Sequence, residues 1–314
     1  MKNFPHIAAL ALSLNFSSVR AFAVVPVVKP WLRLSSDLHY LKPNPQNTYL
    51  AYTDSKGRNL RVVDLKTQEI FLVSKLDVRG SYLWSPDGHR LIFRELLAEK
   101  NGSIRSDVKI YNVTEKETTK VETIPSSSGL LSLDPKDAHL YLVHDKGIFS
   151  RQLDFPDQRK APWQLKKDSK GFWIATQKRI LWATGKGLVL REMKDDESGI
   201  QSFDVSPDGE MVVWATQQNK IYTSRTGEEP KFLASGVDPS WHPNNPVVVY
   251  ASARYVGSKV TGYIIRVADF EGHNKALVGA SAPSQRWPRF SKDGKKILYT
   301  AQDTTDLYLV DFKE

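Results

Sequence analysis

The 314-residue chain contains no cysteine. That absence removes disulfide scaffolds, thiolate zinc sites, iron–sulfur clusters and cysteine nucleophiles together. Beyond the N-terminus no run reaches the 18 or so apolar residues that a spanning helix needs, so the body of the chain is expected to be soluble. Short catalytic signatures are missing as well. There is no G-x-S-x-G elbow, no Walker-type phosphate loop and no H-x-x-H or H-E-x-x-H metal pair. Gly185-Lys186-Gly187 is too short to cradle a phosphate and reads as a hairpin turn. What is present is an apolar fraction of 40%, with 8 Trp, 12 Tyr and 13 Phe, enough to build a sizeable core.

The first residues read as an address. Met1-Lys2 is followed by an apolar run from Ile7 to Phe16, and then by Ala21-Phe22-Ala23, an A-x-A pattern. This is the grammar of a secretory signal peptide cleaved after Ala23. The expected division is therefore a leader over 1–23 and one domain over 24–314, with a periplasmic or secreted location. Cleavage removes Lys2 and Arg20 and no acid, which lowers the formal charge of +9 by two. Export makes nucleic acid an unexpected partner and leaves acidic envelope polymers and proteins as candidates.

Internal repeats decide the fold. An apolar residue, a Pro-Asp-Gly type turn and a β-branched or aromatic run recur at Trp84-Ser85-Pro86-Asp87-Gly88, Val205-Ser206-Pro207-Asp208-Gly209 and Phe290-Ser291-Lys292-Asp293-Gly294. Looser copies begin at Leu41, Leu133 and Trp241, and a degenerate copy begins at Trp173. A second apolar column stands nine residues after each: Leu50, Phe93, Leu142, Trp182, Trp214, Tyr250 and Tyr299, with Tyr52 an alternative in the first copy. A fixed offset between unequally spaced copies means a rigid hairpin carrying variable outer loops. Pro presets φ, Asp bonds its own turn backbone and Gly accepts positive φ. Third strands follow at Leu60–Leu65, Val108–Val113, Asn219–Ser224, Tyr263–Ala268 and Leu307–Phe312, and fourth strands at Ile70–Val73 and Lys231–Ala234.

Four short strands per copy predict an all-β propeller. Seven blades are expected, or six if the Trp173 copy is a connector. Trp31–Leu34 is expected to supply the strand that the last blade lacks, closing the ring without open edges.

At these residues the chain resembles the TolB-like (WD40-like) β-propeller repeat family. Trp84–Phe93 and Phe290–Tyr299 match its turn-and-strand pattern best, and Asp306–Asp311 resembles its third strand. The resemblance covers the propeller only. The α/β domain that precedes the propeller in TolB is not expected, nor the hydrolase domain that follows similar propellers in prolyl oligopeptidases. It implies a non-catalytic, protein-binding scaffold in the cell envelope. The expected partner is an envelope protein or lipoprotein, with peptidoglycan-associated proteins among the candidates. A monomer without cofactor or metal is expected.

Turn geometry accounts for Asp87, Asp208 and Asp293, so no catalytic residue is assigned to them. Blade packing accounts for Trp84, Trp173 and Trp241. Binding is expected where loops meet the channel mouth, just before the innermost strands, at Arg79, Asp168, Asp238, Arg286 and Trp287. A different class of function is an enzyme acting on an acidic polysaccharide, lyase-type, with a metal at the channel mouth, as some similar propellers are. The basic charge suits it, and the missing local His pair does not.

Overall fold

In the computed structural model the described residues are 23–24, 31–34, 38–78, 80–99, 101–125, 132–133, 139–144, 147–152, 161–162, 172–175, 180–184, 187–189, 199–273, 275–278, 284–301 and 305–313. They form an all-β structure with no helix, and their sheets are arranged as in a propeller. Each copy of the repeat makes an antiparallel hairpin about its turn, because alternating apolar residues give each strand one buried face.

The first sheet contains His39–Pro43, Tyr49–Thr53, Leu60–Asp64 and Ile70–Ser74 in that spatial order. The second contains Tyr82–Trp84, Arg90–Ala98, Ile104–Asn112 and Glu117–Pro125. The third contains Ser132–Leu133, His139–His144, Gly147–Gln152 and Ala161–Pro162. The degenerate copy makes a three-stranded sheet of Phe172–Ala175, Ile180–Thr184 and Gly187–Val189.

The next two copies share one seven-stranded sheet, in which Lys231–Trp241 runs unbroken from the fourth strand of one copy into the first strand of the next. The sequence predicts a break there. The strand is continuous instead, and at Gly236 a Cβ would lie 2.4 Å from the Ala251 carbonyl oxygen, so only glycine lets it pass this close to its neighbour. The last sheet holds Gln285–Phe290, Lys296–Ala301 and Asp306–Lys313. Ala23–Val24 and Leu32–Arg33 both pair antiparallel with Asp306–Lys313, through Ala23 to Lys313 and Leu32 to Leu307.

Two repeat registers differ from the sequence reading. In the copies built on Trp84, Val205, Trp241 and Phe290, the column residue pairs across the turn with the residue seven positions on. In the first copy that pair is Pro43 with Leu50. Its column therefore begins at Pro43 rather than Leu41, and Tyr52 fills the second column. Leu41 and Leu50 are both fully buried, so apolarity alone does not distinguish the two registers. In the degenerate copy Trp173 stands directly across from Trp182, the residue nine on, and Ile174 takes the column pairing with Leu181. In this copy, whose turn signature is lost, the two indoles pack with centroids 4.9 Å apart.

The core lies between consecutive sheets rather than inside any one of them. Leu60, Val62 and Tyr82 join Trp84, Phe93 and Tyr111 between the first and second. Ile92, Val108 and Ile124 meet Leu140 between the second and third. Trp287, Leu298 and Leu307 of the last sheet pack on Leu41, Leu50, Tyr52 and Val63 of the first. Large side chains suit these interfaces because each buries its faces against two neighbours.

Polar links repeat between sheets. The Trp84 indole donates to the Lys42 carbonyl at 2.8 Å, and the Trp241 indole does the same to Asp204 at 3.1 Å. The Asn44 amide donates to the turn carbonyl of Gly88, and the His242 ring reaches that of Gly294 at 3.2 Å. Since Asn244 and Asn245 donate their backbone N–H groups to His242 Nδ1, the Nε2 atom is left to donate.

Candidate functional site

The turns carry structure, as the sequence suggests. Asp87 accepts from the Ser85 hydroxyl, the His89 N–H at 3.0 Å and Arg90 at 2.9 Å. Burial opposes ionisation, but these three donors outweigh it and pull the Asp87 carboxyl down to about 2. Asp208 and Asp293 hold the same positions against Ser206 and Ser291, at 2.5 and 2.6 Å. A shallow hollow lined by Asn47, Ser291, Lys292, Asp293 and Lys296 lies at this turn end.

The chemistry gathers at the opposite end of the first strands. Each of four first strands is irregular there, with register shifts between His39 and Lys42, Ile200 and Ser202, Val237 and Ser240, and Arg286 and Arg289. Three of these bulges hold a non-glycine residue in the left-handed region: Tyr40 at φ 54°, Asp238 at φ 55° and Trp287 at φ 51°. A bulge re-aims side chains and stores backbone strain, and such conformations concentrate at functional sites.

Of the residues expected at the mouth, Arg79 and Asp168 lie outside the described residues. Asp238 and Arg286 are brought together. Arg286 Nε is 2.7 Å from Asp238 Oδ2, which also accepts the Trp287 backbone N–H at 3.3 Å. The guanidinium lies 4.7 Å from the Tyr263 ring centroid and 4.8 Å from that of Trp287. Burial works against the charge of Arg286, but Asp238 outweighs it and holds the guanidinium above its ordinary pKa. Trp287 is only 4% exposed and packs on His39 and Tyr40. It is the floor under Arg286 and not an exposed stacking platform.

A set of residues one position before the column went unread in the sequence: Lys42, Asp204, Ser240 and Arg289. The Leu41 register places Lys42 after the column and so separates it from its counterparts. Lys42 Nζ donates to the carbonyls of Tyr82 at 2.6 Å and Gly80 at 3.3 Å. Burial lowers its pKa, Arg289 lowers it further, and Asp204 partly offsets both, giving about 8. The Asp204 carboxylate is itself engaged by the Ser240 hydroxyl at 3.0 Å and by the N–H groups of Trp241 and Val205.

Two hairpins overhang this end. The hairpins over 90–112 and 247–269 continue past the start of the first strands, and near their tips Ile104, Tyr255 and Val256 are 52, 48 and 72% exposed. Among the described residues no group of three or more His, Asp and Glu side chains is placed to hold a metal ion.

Comparison with known proteins agrees on architecture. No family model and no curated protein matches the sequence. A chain in the crystal structure of a mitotic checkpoint complex is similar in structure, with a TM-score of 0.59 over 99% of this chain and 97% of that chain. Sequence identity is 14%, so the likeness is one of fold: a WD40-type propeller.

Proposed function

We propose that this protein is an exported, closed, seven-bladed propeller of the TolB-like type that serves as a non-catalytic, protein-binding scaffold in the cell envelope. The seven-stranded sheet is read as two blades sharing Lys231–Trp241, and Leu32–Arg33 as the strand that completes the last blade beside Asp306–Lys313. The signal-like 1–23 segment supports export. The observation that carries the binding role is the Asp238–Arg286 pair, which a bulge holds at the mouth end of the first strands, flanked by hairpins with exposed apolar residues. Propellers bind through such loops while the sheets stay rigid, so recognition needs no reacting group. Exposed Tyr255, Val256 and Ile104 next to fixed charges suit a protein surface, whose interface combines an apolar centre with polar contacts.

The test is capture from an envelope extract with the purified mature chain as bait, together with N-terminal sequencing of the chain recovered from cells. A start at Val24 and a specifically captured envelope protein or lipoprotein are expected, with capture lost on charge reversal of Arg286 and Arg79. Retention of residues 1–23, or capture unaffected by those reversals, would overturn the reading.

A further inference from the structure

We propose that Lys42 and Arg289 form an anion site on the inner wall of the propeller, which takes a carboxylate from an acidic peptide segment of the bound partner. This rests on the scaffold reading above and names the chemistry its partner presents.

Strand register brings the two cations together. Once the first copy is aligned on Pro43, Lys42 and Arg289 hold the same position in the first strands of the first and last sheets, one residue before the column. Those two sheets pack against each other through Leu41, Leu50, Trp287 and Leu298. Two cations are thus brought to neighbouring points of one inner surface. In two neighbouring copies the same position brings the Ser240 hydroxyl to 3.0 Å from the Asp204 carboxylate, so side chains at this position reach across neighbouring first strands, and the Arg289 charge contributes to lowering the pKa of Lys42.

Neither cation has a carboxylate partner among the described residues. Lys42 Nζ bonds to two backbone carbonyls, and a third N–H remains. Arg289 spends Nη1 on the Pro288 carbonyl at 2.8 Å and the Asp238 carbonyl at 3.3 Å. Its Nε and Nη2 donors remain. The two nearby acids are already committed, Asp238 to Arg286 and Asp204 to Ser240, Trp241 and Val205. Two like charges on neighbouring first strands in a half-buried setting repel each other and lose solvation. An anion between them removes both penalties and gains charge-assisted hydrogen bonds. A peptide carboxylate suits the position because the hairpins over 90–112 and 247–269 run past the start of the first strands and carry exposed Ile104, Tyr255 and Val256, apolar surface for the rest of a polypeptide.

The probe is hexaglutamate with blocked ends, titrated calorimetrically into the full mature chain. An oligogalacturonate of equal charge forms the second arm. Hexaglutamate is expected to bind at pH 7, and Lys42→Met and Arg289→Gln are each expected to weaken it about tenfold, the scale of one lost charge-assisted contact. Affinity should fall as pH rises through about 8, where Lys42 loses its proton. The charged groups that act on Lys42 are Arg289 and Asp204. Burial keeps Tyr82 protonated well above that pH. Lys42→Arg should retain binding and lose the pH dependence.

Thermal unfolding of each variant reports folding. If Lys42→Met fails to fold, Arg289→Gln and Lys42→Arg carry the test. Unchanged affinity in the folded variants, or tight oligogalacturonate binding without hexaglutamate binding, would overturn the proposal. Should hexaglutamate fail while an envelope protein is still captured, only this inference falls. Should hexaglutamate bind as expected and no partner be captured, the site stands and the scaffold reading falls.

Discussion

Arg286 and Asp238 are 48 residues apart in the chain and meet at 2.7 Å, with their side chains only 15 and 7% exposed. Removing one member of so buried a pair leaves the other charged and desolvated, and typically costs about 3 kcal/mol. Asp238→Ala is expected to lose about that much, and also the acceptor for the Trp287 N–H. Urea unfolding of the two single variants and of the double variant with Arg286→Ala checks this. The double variant should be less destabilised than the sum of the singles, because it leaves no orphaned charge.

His242 couples its own turn to that of the following copy, since one ring nitrogen accepts two backbone N–H groups and the other reaches the Gly294 carbonyl. Asn44 does the same work in the first copy: its oxygen accepts from Thr48 and Tyr49, and its amide donates to Gly88. His242→Ala is expected to cost about 1–3 kcal/mol as these buried groups lose partners. His242→Asn should recover a measurable part of that in the same unfolding assay. Equal losses in both variants would mean that ring packing on Phe290, and not hydrogen bonding, fixes the residue.

Glycine substitutions separate crowding from backbone strain. Gly209 has φ +75° and open space where an added Cβ would lie, so Gly209→Ala meets only conformational strain, about 1 kcal/mol. Gly236→Ala would push a methyl group into the Ala251 carbonyl and force two strands apart. Its midpoint of thermal unfolding should fall well below that of Gly209→Ala.

Asp87 links stability to pH. Its folded-state pKa is about 2, below its ordinary value, so the turn binds the ionised form more strongly than the unfolded chain does. The resulting stabilisation is present above the ordinary carboxylate range and is lost as pH falls towards 2. Because the side chain is 45% exposed, solvent screening reduces the effect to about 1 kcal/mol. The stability difference between wild type and Asp87→Asn, measured by denaturant unfolding, should therefore shrink between about pH 4 and pH 2.

The propeller architecture was legible in the sequence because its signals are local. A Pro-Asp-Gly turn and an alternating strand each lie within a few residues of one another, and their recurrence exposes the repeat. Counting back from the column singled out Asp238 and Arg286, although no local pattern showed that they would lie in bulges or bond to each other. Lys42 and Arg289 stayed hidden behind a two-residue uncertainty in the first copy. There Leu41, Pro43, Leu50 and Tyr52 all satisfy an apolar pattern, and strand registers that differ by two residues keep the same face buried.

By itself the sequence determined an all-β chain free of cysteine chemistry, built from repeating hairpins whose turn aspartates bond their own backbone. Only the tertiary structure decided which copies share a sheet, which register each hairpin takes and which charges meet. Those outcomes depend on distances between strands far apart in the chain, such as the close approach that admits Gly236 and the packing of Trp287 under Arg286. Turn chemistry is specified residue by residue, whereas the pairing of charges is specified only when the sheets have packed.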